Sequence, residues 1–149
     1  MTKSKTILFP TDFSENAAHA FRYAEELAFE LNAVVELIYV YHIPLHLIDV
    51  LAPTKLEELD PALRERLESD LHEFAEKNAR KDVPITYKLR VGIPTQEILD
   101  EANHLDVAMI IMGNMGISGL QRLLLGSVAE QVVRLASQPV LTVRSWQSN

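Results

Sequence analysis

Two glycine-bearing segments and one aspartate hold the residues best suited to chemistry in this chain of 149 residues. Gly113-Asn114-Met115-Gly116 is followed, after nine intervening residues, by Gly126-Ser127-Val128-Ala129. The first segment leaves the apolar run 107–112, and the second opens a helical pattern at Ser127. A glycine turn after a strand, with backbone N–H groups gathered at a helix start, can hold phosphate. The expected donors are the amides of Gly113, Asn114, Gly116, Gly126, Ser127 and Val128, with the Ser127 hydroxyl. An anion placed there gains roughly 0.3–1 kcal/mol from the positive helix end. The same residues have a second reading, in which the glycines only shape turns. Ser127-Val128-Ala129-Glu130 then forms a capping box, its serine bonded to its own helix.

Asp12 lies in Pro10-Thr11-Asp12-Phe13-Ser14, between an apolar strand and the first helix. Ligands of open parallel sheets bind at that edge, so Asp12 can accept hydrogen bonds from a ribose. Its alternative is turn formation or capping near Ser14. Pro10 fixes the chain direction. Val40 can supply an apolar wall and a backbone edge, or serve packing alone. Gly92 permits a turn and can border a cavity. His19, His42, His46, His72 and His104 are scattered, with His42 and His46 in a mixed loop. They form neither a metal-ligand pattern nor a nucleophile–base set. Glu36 is out of place in an apolar strand. It needs the sheet edge, a neighbouring loop or a partner, because an unpaired buried carboxylate is costly.

Strands and helices alternate around these residues. Strands are expected at 5–10, 34–41, 85–91, 107–112 and 140–143. Ala17, Ala20, Phe21, Ala24, Leu27, Ala28 and Leu31 give the first helix its apolar stripe. Asp60-Pro61 opens a second helix, which Leu63, Leu67, Leu71 and Phe74 carry to about Ala79. A short helix starts at Pro94, and another runs from Ser127 to Ser137. Five strands separated by helices imply an α/β domain spanning 1–149, with an open parallel sheet covered on both faces.

The composition excludes several classes. Cysteine is absent, which removes disulfides, thiol nucleophiles and cysteine-bound metals. Fourteen Lys+Arg against 21 Asp+Glu give a net charge of −7, which argues against a nucleic-acid partner. No stretch is long enough for a membrane span, and the basic start leads into a strand, so a cytoplasmic location is expected.

Nearly the whole sequence resembles the universal stress protein family. The resemblance rests on Ile7-Leu8-Phe9-Pro10-Thr11-Asp12-Phe13-Ser14, the glycine segment, and Ser118-Gly119-Leu120. It rests also on Leu123-Leu124-Leu125-Gly126-Ser127-Val128-Ala129-Glu130 and Gln138-Pro139-Val140-Leu141-Thr142-Val143. It implies a five-stranded parallel sheet of order 3-2-1-4-5 and a homodimer joined partly through the last strand. It also implies ATP held across the ends of strands one and four. Asp12 then meets the ribose and adenine region, with Pro10, Thr11 and Val40 near the base. Gly113 and Gly116 line the phosphates with Gly126, Ser127 and Val128, and Met112 and Asn114 complete the cofactor-binding set. Met115 and Ile117 depart from the family, which often has a histidine before this glycine and a basic residue after it. Phosphate binding then relies on backbone donors.

The expected function is an ATP-binding stress-response regulator whose nucleotide state changes its conformation or its affinity for an unidentified regulatory partner. Asp12 can hold magnesium through water and phosphate, and ordering of 42–60 can provide the response. The alternatives are a slow ATP hydrolase and a nucleotide-independent dimeric interaction protein.

Overall fold

A computed structural model describes residues 5–42, 59–114 and 125–144. Among them, β1 (Thr6–Pro10), α1 (Glu15–Leu31), β2 (Val34–His42), α2 (Pro61–Asn78) and β3 (Ile85–Gly92) come first in chain order. α3 (Pro94–Leu105), β4 (Met109–Gly113), α4 (Ser127–Leu135) and β5 (Val140–Val143) follow. The strands form one parallel sheet in the order β3-β2-β1-β4-β5, as the family resemblance implies.

Alternation along the strands divides the core into two layers. Ile7, Phe9, Val35, Leu37 and Ile111 face α1 and α2, where they meet Ala20, Phe21, Leu71 and Phe74. Leu8, Ile38, Val40, Ile110 and Met112 face α3 and α4, against Ile98, Ala102, Ala129 and Val132. Strands buried on both faces read as continuous apolar runs, which is why β1 and β4 stand out in the sequence.

Local chemistry sets the helix limits. The Ser14 side chain accepts the Ala17 amide, and Asp60 accepts those of Ala62 and Leu63, so both act as N-caps. Left-handed Asn32 and Asp106 end α1 and α3. Asp106 also delays the fourth strand: the Val107 amide still bonds to Ala102, and the strand begins at Met109 rather than 107. The second strand extends through His42, which moves that histidine out of the expected loop. α4 stops at Leu135, two residues before the expected end.

Glu25 was not evident as a core residue, yet it is buried on α1. Both of its carboxylate oxygens accept the Arg80 amide, at 3.1 and 2.9 Å, which ties α1 to the turn after α2. Its place among Phe21, Ala24 and Ala28, a charge inside the apolar stripe, was the available signal.

Candidate functional site

The carboxyl ends of β1, β2 and β4 open into a cavity of about 310 Å³, within the range of small-molecule sites. Its lining includes Pro10, Thr11, Asp12 and Val40 on one side and Met112, Gly113, Gly126, Ser127 and Val128 on the other. The fold thus brings together two segments more than a hundred residues apart. Gly116 lies outside the described residues, as do Met115, Ile117, His46 and most of the segment 42–60.

The loop after β1 is held by its own side chains. The Thr11 amide donates to the Ile38 carbonyl, and the Thr11 hydroxyl accepts the Phe13 amide. Asp12 Oδ1 accepts the Ser14 amide at 3.0 Å, so Asp12 makes the turn and still borders the cavity. Phe13 has φ of 65°, an unfavourable conformation for a bulky residue. Its ring stacks on Tyr39, with centroids 4.6 Å apart, and packs against the core layer under α1 and α2. That packing secures the backbone that presents Asp12.

The opposite wall differs from the expected arrangement in two ways. First, the Asn114 amide donates to the Val143 carbonyl at 3.0 Å, and the Gly126 amide donates to the Asn114 carbonyl at 2.6 Å. One N–H can make one good bond, so these two donors serve the fold rather than an anion. Asn114 is buried and does not line the cavity. Second, Ser127 does not cap its helix. Gly126 occupies the N-cap position, its carbonyl accepts the Glu130 amide, and there is no side-chain cap bond. The capping box therefore does not form, and Glu130 pairs instead with Arg134.

The consequence favours ligand binding. The helical ladder begins at Glu130, so the amides of Ser127, Val128 and Ala129 have no acceptor within α4. Ser127 is exposed, with its hydroxyl not engaged by its own helix. Gly113 matters for a close approach: a Cβ there would run into the Asn16 side-chain amide. Gly92, with φ of 150°, makes the turn into α3.

Further lining residues are Ala17, Ile38, Tyr39, His42, Pro94, Ile98 and Ala129. Ile38 shares the face of Val40, a period-two signal that the sequence carried. Pro94 and Ile98 are brought in by α3, whose docking no local pattern reveals. The site thus has apolar walls, one carboxylate, and three first-turn amides beside a hydroxyl. Such a site suits a ligand with a flat apolar part and an anionic tail. Among the described residues, no group of three or more His, Cys, Asp or Glu side chains is placed to hold a metal. No helix among them is long and apolar enough to cross a membrane.

The sequence model of the Universal stress protein family matches residues 3–144. Universal stress protein MJ0531 of Methanocaldococcus jannaschii is 34% identical over 140 residues, covering 94% of this chain and 82% of its own. The solved structure of MJ0577, from the same organism, superposes with a TM-score of 0.76 at 30% identity, covering 99% of this chain and 100% of that one. A universal stress protein from Archaeoglobus fulgidus, solved in complex with dAMP, shares the fold with a TM-score of 0.65 at 20% identity, covering 97% and 100%.

Proposed function

Because the chain belongs to the universal stress protein family, we propose that it binds a nucleotide, with ATP the expected ligand, and acts as a regulator. The bound state alters its conformation or its affinity for a partner protein. The observation that carries this reading is the convergence of Asp12 with the open amides and hydroxyl at the start of α4. The base fits between Val40, Ile38, Ile98 and Met112. The ribose lies against Asp12, and the phosphates reach Ser127, Val128 and Ala129. The dAMP complex of the Archaeoglobus fulgidus protein concerns a chain of the same fold, and nucleotide binding here extends that chemistry to this cavity.

Magnesium fits as a companion of the phosphates. It commonly takes one or two carboxylates and keeps several waters, and Asp12 is the carboxylate on the lining. Its role would be to neutralise phosphate charge, whereas Asp12 itself orients the ribose through a carboxylate fixed by Ser14.

The partner surface is proposed at β5, an edge strand of the sheet. Leu141 on β5 and Val133 and Leu135 on α4 are exposed apolar side chains. A second copy of the chain could add its own edge there, giving the homodimer.

The test is calorimetric titration with ATP, with and without Mg²⁺, followed by identification of the nucleotide retained. Saturable binding that weakens in Ser127→Ala is expected. Folded protein that binds no ATP at physiological concentrations would overturn the reading and leave a nucleotide-independent interaction protein. Stoichiometric release of ADP and phosphate, abolished in folded Ser127→Ala, would establish slow hydrolysis instead.

A further inference from the structure

β2 outruns its neighbour on the cavity side. β1 ends at Pro10, in register with Ile38, whereas β2 continues through His42. This overhang, Tyr39 to His42, runs for about 13 Å with β3 along one side and no β1 along the other. Its backbone alternates. Val34 and Ile38 bond to the β1 side, at Lys5 and Thr11, and Val35 bonds to Pro84 on the β3 side. Continued along the strand, that alternation turns the N–H and C=O groups of Val40 and His42 toward the space past the end of β1. Side chains alternate too, so Ile38, Val40 and His42 share one face, and all three line the cavity. His42 is exposed, and its partner in register, Gly92, has no side chain to cover the imidazole. Among the described residues, no lysine or arginine lies on the cavity wall.

We propose that His42 is a specificity-determining residue that reads the far edge of a purine base and so favours purine over pyrimidine nucleotides, an inference that rests on the nucleotide-binding reading. Position in the sheet assigns His42 to the base rather than the phosphates. β1 separates β2 from β4, which sets those two strands about 10 Å apart. The open amides at the start of α4 are tethered to the end of β4 through Gly126 and Asn114. A ribose at Asp12, between the two, sends the phosphates toward α4 and the base along the overhang. Ile38 and Val40 meet the base with side chains that carry no hydrogen-bonding group. His42, about 6.6 Å beyond Val40, supplies one. A neutral imidazole offers one donor and one acceptor and takes either tautomer, so it can meet an amino or a carbonyl substituent. Selection is therefore by reach. In a purine the five-membered ring joins the sugar and carries the six-membered ring outward, whereas a pyrimidine on the same sugar falls short of the imidazole.

The test is calorimetric titration of the wild type, His42→Ala and His42→Gln with ATP, adenosine and CTP. The wild type should bind ATP more tightly than CTP. His42→Ala should weaken ATP and adenosine by the same factor, about three- to tenfold for one net hydrogen bond, and leave CTP unchanged. The ratio of ATP to CTP affinity then falls, which a merely structural role would not produce. His42→Gln keeps a donor and an acceptor and should retain most of that ratio. Thermal melts check that both variants fold, as an exposed residue at the end of a strand allows. Unchanged ATP affinity in His42→Ala would overturn the inference and leave the nucleotide reading standing. So would a loss seen with ATP but not adenosine, which places the imidazole on the phosphates, or an equal loss with CTP, which makes it a wall. Folded wild type that binds none of the three would overturn the nucleotide reading and this inference with it.

Discussion

At the scale of single residues, Ser127 and Ser14 separate binding from stability. Because Ser127 makes no cap bond, Ser127→Ala should change unfolding free energy by less than about 0.5 kcal/mol, against about 1 kcal/mol for loss of a real serine cap. Its ATP affinity should nevertheless fall. Ser14→Ala supplies the contrast, since Ser14 accepts the Ala17 amide and its loss should cost about 1 kcal/mol in urea melts. Gly113→Ala should both destabilise the protein and disturb the cavity, because the new methyl group displaces Asn16. Much of this site was legible: Asp12, Val40 and the Gly126-Ser127 pair lie where the sequence places them. The number of free amides was not, because the bonds of Asn114 to Val143 and of Gly126 to Asn114 depend on how the chain closes around β4.

At the scale of elements, the helices were easier to read than their attachments. The α1 stripe and the caps Ser14 and Asp60 are local patterns that act within a turn or two. Glu25 meets Arg80, 55 residues away, and Glu36 is buried on a strand inside the sheet, and no spacing rule announces either. Glu25→Ala should cost roughly 1–3 kcal/mol by leaving the Arg80 amide without its acceptor, measured by denaturant unfolding. Burial of Glu36 sets a pH dependence with a definite sign. Its carboxyl holds a proton more tightly folded, to about 8, than at the ordinary value of 4.5. The native state therefore binds more protons between those values. Stability from this group is fully present below about 4.5 and is lost as pH rises through about 8. Thermal melting should show a decline across that window in the wild type and a flatter profile in Glu36→Gln.

At the scale of the whole molecule, order 3-2-1-4-5 puts a reversal of strand sequence beside β1, where Asp12 leaves the sheet. Alternating strands and helices made the parallel sheet legible, whereas the strand order came with the family resemblance rather than from periodicity. The same order leaves β5 at an edge with Leu141 exposed, so Leu141→Lys should give a monomer if two copies pair there, as read by sedimentation velocity. The junction between Asn114 and Gly126 has a wider consequence. The Gly126 amide, just before α4, donates to the Asn114 carbonyl, just after β4, at 2.6 Å. The end of β4 and the start of α4 are thereby stapled together, so the two stretches of cavity wall that they carry shift as one.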